Sequence, residues 1–261
     1  MNIDMWIRAL KAARAGAEVS QEGLAATIKW SPSTVAAIET GRRRPTMEFA
    51  VAADQALGTG GLLAELLKAT DRQRGPSWFV PWRGYEPQAI RLRAFEACLV
   101  PGLLQTEEYA RAVISTGGLH PPATVDELVA VRLERQQLLY RHQPPHCVFL
   151  LDETAVRRPV GGPAVLDAQL GRLLEVAELP AVRLHVIPLA VGEHAGLGGG
   201  SVLAELADAD RMLYLENAVR GHVVDDPETI GLIERKWDSL LGEALSTSAS
   251  VDFIRKLKVT P

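Results

Sequence analysis

The sequence predicts an all-α domain of five helices in residues 1–70, a connector at 71–88, and an α+β domain with a mainly antiparallel sheet in residues 89–261. Three observations lead to this division. Apolar residues recur every three to four positions through the first part, the period of helices with one buried stripe. After residue 89, short runs rich in Val, Leu and Phe alternate with helical stretches, and the late runs follow one another closely, as antiparallel neighbours do. Between the two lies "TDRQRGPSWFVPWRGYEPQ", where Pro, Gly and aromatic residues break the helical period.

Ile3, Ile7, Leu10 and Ala13 define the first helix. "AGAEVS" ends it, and Ser20 caps a second through "QEGLAATI", with Leu24, Ala25 and Ile28 inward. After the turn "KW", Ser31 is the N-cap of a third helix and Pro32 its first residue, where a missing N–H costs nothing. Val35 and Ile38 form its apolar side, Gly41 stops it, Thr46 caps a fourth from "MEFAVAADQAL", and "GLLAELLKAT" is the fifth. Two short helices joined by a tight turn, the second opening on small polar residues, describe a helix-turn-helix that lays its second helix in a DNA groove. A plain helical bundle with its polar faces in water fits the same pattern.

Across 261 residues, 28 Lys and Arg face 32 Asp and Glu, a formal charge of −4, which excludes a general nucleic-acid coat but allows a local basic patch. Up to Thr70 the balance is 8 basic to 7 acidic, and after it 20 to 25, so the three consecutive arginines Arg42, Arg43 and Arg44 sit in the less acidic end. A hydrophobic share of 47% with 23% charged residues fits a packed core rather than disorder. No apolar run approaches the roughly 18–20 residues that cross a bilayer. The start "MNIDMWIRALKAARAG" has no secretory apolar region, so the expected place is the cytoplasm, on the nucleoid, with no membrane partner. Cys98 and Cys147 are too few and too far apart for a zinc knuckle and are expected as buried small hydrophobes; neither metal nor cofactor is expected.

The stretch "SQEGLAATIKWSPSTVAAIETGRRRP" resembles the XRE, or Cro/repressor, helix-turn-helix family over nearly all of the first 70 residues. The resemblance implies a Cro/repressor-like fold with a DNA-facing surface of Gln21, Lys29, Ser31, Pro32, Ser33, Thr34, Ala37 and Thr40. Within it Gln21 contacts a phosphate, Pro32, Ser33, Thr34 and Ala37 face the major groove, and Glu39 braces the fold. Two positions depart from the family. Lys29 stands where a glycine is usual, implying left-handed strain of about 1 kcal/mol, and Gly23 interrupts the second helix at about the same cost. Arg42, Arg43 and Arg44, just past the recognition helix, are placed to reach flanking phosphates, with Pro45 stiffening their exit; a solvated surface run is the alternative. They are expected to grip without reading. Ser33, Thr34 and Ala37 offer hydroxyls and methyls but no fork for bidentate base contacts. Specificity then leans on thymine methyls, DNA shape and paired half-sites, so a homodimer on double-stranded DNA is expected.

In the connector Trp78, Phe79, Trp82 and Tyr85 are too apolar for a free linker and should dock on the second domain or on a partner chain. "IRLRAFEACLVPGLLQT" begins as a strand, Thr106 opens a helix through "EEYARAVIST", and Thr124 with Glu127 forms a capping box for "VDELVAVRLERQQLLYRH". That helix is either core-packed or a dimer seam. "CVFLLDE", "VRLHVIPL", "SVLAEL" and "RMLYLEN" read as strands, and "GPAVLDAQLGRLLEVAEL" and "DPETIGLIERKWDSLLGEAL" as helices. The stretches "CLVPGLLQTEEYARAV", "RLERQQLL", "LDETAVRRPVGG", "AQLGRLLEVAELPAVRLHVIPL" and "LYLEN", in this order, resemble the long C-terminal domain of a large group of actinobacterial XRE regulators. That resemblance implies transcriptional control, often with a small protein encoded next door as partner.

Chemistry finds little footing in the second domain. In "GEHAGLGGGS", Glu193, His194, Gly198, Gly199 and Gly200 are candidates for a ligand or partner loop, against a flexible strand connection, since the loop lacks the Walker and dinucleotide spacings. His185, His194 and His222 lack the i, i+4 pairing of a helical zinc site. Asp152 and Glu153 with Arg157 and Arg158 read as ion pairs, and no nucleophile elbow surrounds Ser31, Ser77 or Ser201. No enzyme is expected. These readings converge on a dimeric DNA-binding regulator whose second domain dimerises, senses a small-molecule ligand or binds a small operon-encoded protein. The alternative is an antitoxin-like protein that sequesters such a partner and autoregulates its operon.

Overall fold

Trp6 and Leu10, fully buried, centre the first of two units into which the chain divides, Met1–Pro76 and Ser77–Pro261. The computed structural model describes residues 3–43, 45–72, 78–217 and 220–259; Arg44, Ser77 and connector residues 73–76 lie outside the described residues. The first unit holds α1 (Ile3–Gly16), α2 (Gln21–Ile28), α3 (Pro32–Glu39), α4 (Met47–Leu57) and α5 (Leu62–Arg72). Ser20, Ser31 and Thr46 each accept a hydrogen bond from the backbone N–H three residues on, fixing where α2, α3 and α4 begin. Leu24, Val35, Phe49 and Leu63 close over Trp6, whose indole N–H donates to the Leu63 carbonyl at 2.7 Å. Asp54, buried at the end of α4, accepts from the Leu63 and Ala64 N–H groups at 2.8 Å each and so caps α5 from another helix.

The second unit contains α6 (Val80–Tyr85), β1 (Ala89–Glu96), α7 (Glu107–Ser115), α8 (Pro122–Arg135), β2 (His146–Asp152), α9 (Glu153–Arg157), α10 (Pro163–Ala177), β3 (Val182–Ile187), β4 (Ser201–Leu206), β5 (Arg211–Glu216), β6 (Gly221–Val224), α11 (Pro227–Glu243) and α12 (Thr247–Val259). The strands form one sheet in the order β3-β2-β1-β4-β5-β6. It is mixed rather than mainly antiparallel: β1–β2 and β2–β3 are parallel, and only β1–β4, β4–β5 and β5–β6 are antiparallel. The reason lies in the connections. Helical crossovers, α7–α8 and then α9–α10, return the chain to the same end of the sheet, whereas short turns reverse it between β4, β5 and β6.

Alternation along the strands sorts the core into two faces. Leu92, Ala94, Phe149, Leu184 and Tyr214 pack with Leu103, Tyr109 and Leu173 on one side. On the other, Phe95, Leu150 and Ile187 meet Trp237 and Leu240 of α11, while Leu203 and Leu213 meet Ile230. Three of the connector's aromatic residues, Trp78, Phe79 and Trp82, join the first face. Trp82 is buried 5.3 Å from the Tyr214 ring, and Phe79 meets the same ring edge-on at 5.4 Å, with the Arg135 guanidinium 4.5 Å from the Phe79 centroid.

Three local expectations change. α8 starts at Pro122, whose fixed φ suits the first helical position, so Thr124 lies inside the helix and no capping box forms. Cys147 is buried but Cys98 is exposed, beyond the end of β1. Strand β6 and helices α6, α9 and α12 are additions to the sequence-based scheme.

Two glycines of the second unit give opposite expected outcomes. At Gly196 an added Cβ falls 2.2 Å from the Phe95 ring, whereas at Gly231, inside α11, it meets only the tip of Arg235 at 3.7 Å. Gly196→Ala is expected to lower stability by about 1–3 kcal/mol, and Gly231→Ala to raise it by about 0.5–1 kcal/mol. Denaturant midpoints of the full chain measure both; equal shifts would contradict the packing at Phe95.

Candidate nucleic-acid interface

Helix α2 ends on Lys29, whose backbone is left-handed at φ 62° and ψ 39°, and the Trp30 N–H closes the turn on the Ala25 carbonyl at 3.0 Å. The chain thereby reverses in two residues and enters α3 at Ser31. Val35 and Ile38 are buried beneath α3, while Ser31, Pro32 and Ser33 are exposed and Thr34 and Ala37 half-exposed. The hydroxyls at its start form a chain: Ser31 Oγ accepts from the Thr34 N–H at 3.1 Å, lies 2.8 Å from Thr34 Oγ1 and 2.9 Å from Ser33 Oγ.

At the other end of α3 the Thr40 hydroxyl donates to the Ala36 carbonyl at 2.7 Å, and Gly41 turns the backbone at φ 74°. Arg42 and Arg43, both exposed, then part company. Arg42 Nε donates to Thr40 Oγ1 at 3.1 Å and stays at the helix end. Arg43 donates its backbone N–H to the Ala37 carbonyl at 3.0 Å and its Nη1 to Thr34 Oγ1 at 3.3 Å, so its side chain runs back along α3. Among the described residues no carboxylate forms an ion pair with either.

A buried charge holds these helices together. Glu39, 2% exposed at the end of α3, accepts from Arg14 of α1 at 2.7 and 3.0 Å and from the Gln21 side-chain amide of α2 at 2.6 Å. Burial pushes the Glu39 carboxyl up, but the Arg14 and Gln21 hydrogen bonds, with the charges of Arg14 and Lys11, outweigh it and hold the carboxyl below its ordinary value. Gln21 thus has one amide hydrogen committed inside the unit. Sequence reasoning missed Arg14, because an arginine 25 residues from its carboxylate leaves no local pattern.

In the second unit the loop before β4 crosses the ends of β1 and β2. His194 is pinned there: its Nε2 lies 3.0 Å from Asp152 Oδ2 and its Nδ1 accepts from the Gly196 N–H at 3.1 Å. With both ring nitrogens engaged and its side chain 3% exposed, His194 anchors this candidate loop. Glu193 is exposed, and Gly198, Gly199 and Gly200 line a cavity of about 240 Å³ floored by Phe95, Trp237 and Leu240. That is below the roughly 300–1,000 Å³ of small-molecule sites. Beside it Glu96 ends β1, and burial, then the charge of Glu216, lifts its carboxyl to about 7 against the pull of Arg132. No cluster of three His, Cys, Asp or Glu side chains able to hold a metal occurs among the described residues, and no described helix is long and apolar enough to cross a membrane.

Comparison with known families agrees with this division of the chain. A family described as a helix-turn-helix domain matches residues 8–67, and one described as a domain of unknown function, DUF5753, matches residues 82–256. No curated protein and no solved structure matches the chain.

Glu39 and Glu96, shifted in opposite directions, call for opposite pH responses. A depressed carboxyl stabilises the fold above its ordinary pKa and loses that contribution as pH falls through the folded value. For Glu39 the unfolding midpoint is therefore expected to drop once pH falls below 4.5, and Glu39→Gln to flatten that limb. Arg14→Met, which strands the buried carboxylate, should cost about 3 kcal/mol at neutral pH. A raised carboxyl acts the other way: Glu96 should erode stability as pH climbs from 4.5 to about 7. Glu96→Gln should then be more stable than wild type at pH 8 but not at pH 4, as read from midpoints at both; the same gap at each pH would contradict the assignment.

Proposed function

The chain belongs to the DUF5753 family and carries a helix-turn-helix domain on its N-terminal side, and we propose that it is a transcriptional regulator that binds double-stranded DNA through α2 and α3. The observation that carries this reading is the outward face of α3, lined with hydroxyls and methyls and flanked by Arg42 and Arg43, whose charges no described carboxylate neutralises. A groove-entering helix needs such an uncovered, small-sided surface, and the phosphates beside it need cations. The left-handed turn at Lys29 and the Glu39 brace support it by fixing the angle between α2 and α3.

One reading domain of this size neutralises few phosphates, so two copies on a paired site supply the affinity of a regulator. The second unit then serves to dimerise the chain and to receive the controlling signal. The glycine-rich loop at Gly198–Gly200, rather than the small cavity beneath it, is the surface offered to a ligand or to a small operon-encoded protein. No catalytic step is part of this function. The antitoxin-like alternative assigns the same second unit to sequestering a partner, with DNA contacts confined to its own operon.

Genome-wide occupancy of the tagged protein, with identification of what co-purifies, separates these readings. Several sharp peaks sharing an inverted repeat are the expected result; a single peak at its own operon with one stoichiometric small protein would favour the alternative. On purified full-length protein, Arg42→Ala should weaken all duplexes alike and reduce the slope of log affinity against log salt by about 0.9. An unchanged slope would remove Arg42 from the interface.

A further inference from the structure

The exposed ridge of α3 has no side chain of its own able to read a base by a two-pronged hydrogen bond. Arg43 lies outside the helix, yet the fold returns it to that ridge. Its backbone is tied to Ala37 and its guanidinium to Thr34, one helical turn nearer the start of α3. Ala37, with only a methyl group, leaves room for the Arg43 side chain to pass along the helix. The start of a recognition helix is the part that meets base edges.

The hydroxyl chain gives this arrangement direction. Thr34 Oγ1 accepts from Arg43 and can pass its own hydrogen to Ser31 Oγ, which already accepts from the Thr34 N–H and can pass its hydrogen to Ser33 Oγ. Thr34 is then a positioning residue, with its hydroxyl spent on Arg43 rather than on a base. One of the five guanidinium N–H groups is used; the rest remain as a planar fork with no described carboxylate in ion-pair contact. Arg42, held at Thr40 on the far end of the helix, has no such placement.

We infer that Arg43 is the base-reading residue of the interface, recognising the O6 and N7 acceptors of a guanine in the major groove, while Arg42 contacts phosphate. This rests on the DNA-binding function proposed above. It also replaces the expectation that the arginines all grip without reading.

The test starts with full-length wild type selecting from a pool of random duplexes. Binding to the selected site is then compared with binding to random duplex for wild type, Arg43→Lys and Thr34→Val, with the site's guanines replaced one at a time by 7-deazaguanine. Arg43→Lys keeps the charge and loses the fork, so it should retain random-duplex affinity and salt slope but lose roughly 5- to 150-fold on the selected site. The 7-deazaguanine that weakens wild type should no longer matter to it. Thr34→Val should move in the same direction by a smaller factor. Equal loss on every sequence would overturn the assignment and make Arg43 a phosphate contact, as would a selected site in which no guanine N7 matters. If wild type enriches no sequence at all, the DNA-binding function itself fails and the assignment falls with it.

Discussion

The first unit depends on one carboxylate. Glu39 lies where α1, α2 and α3 meet, and its oxygens receive hydrogen bonds from Arg14 and Gln21. Arg14 also donates to the Val19 carbonyl at 2.8 Å, so the same guanidinium secures the link between α1 and α2. Removing a charge from water costs several kcal/mol unless its partners are well placed, so this arrangement tolerates few other helix angles. The apolar core supplies the cohesion of the unit; the charge selects one way of packing it. The orientation of α3, and with it the placement of every outward hydroxyl, follows from that selection.

The second unit relies on neutral polar side chains for a comparable purpose. Gln169, fully buried, accepts from the Thr106 N–H and donates to the Leu104 carbonyl, each at 2.8 Å. Gln136 donates to the Gln105 carbonyl at 2.7 Å, and Gln105 to that of Val100 at the same distance. These three amides satisfy backbone groups of the irregular segment between β1 and α7, which holds only one turn of 3-10 helix, Gly102–Leu104. Nearby, the Arg135 guanidinium holds Glu86 in a two-pronged pair at 2.7 and 2.8 Å and fastens the connector's aromatic cluster to α8.

Local chemistry was legible in the sequence and distant chemistry was not. Ser20, Ser31, Thr46 and Thr106 announced helix starts because a cap acts within three residues of itself. Thr124 misled because Pro122 offered a start of its own two residues earlier. The parallel half of the sheet was missed because strand direction is set by what the crossovers do, while the strands themselves read alike in either direction. Strand β6, four residues long, and α12, following α11 with no Gly or Pro between, gave no separate signal. In the candidate interface the exposed face of α3 was readable from its period. The return of Arg43 to that face depends on a backbone turn at Gly41 and a side-chain path that no spacing rule describes.

The position of β1 in the sheet has a consequence for synthesis. Its parallel partner β2 pairs from Arg91 with His146, but its antiparallel partner β4 begins only at Ser201, more than a hundred residues of chain beyond the end of β1. As the chain emerges from the ribosome, β1, β2 and β3 assemble while one edge of β1 still waits, and an open edge invites pairing with another nascent chain. Arg91 and Arg93 lie on one face of that strand, alternating with buried Leu92 and Ala94, and charge on an unpaired strand opposes such pairing. When β4 arrives, Arg91 acquires Glu205 at 3.1 Å, and when α11 follows, Arg93 acquires Glu234 at 3.0 Å. The same two side chains thus guard the unfinished sheet and then join its completed form.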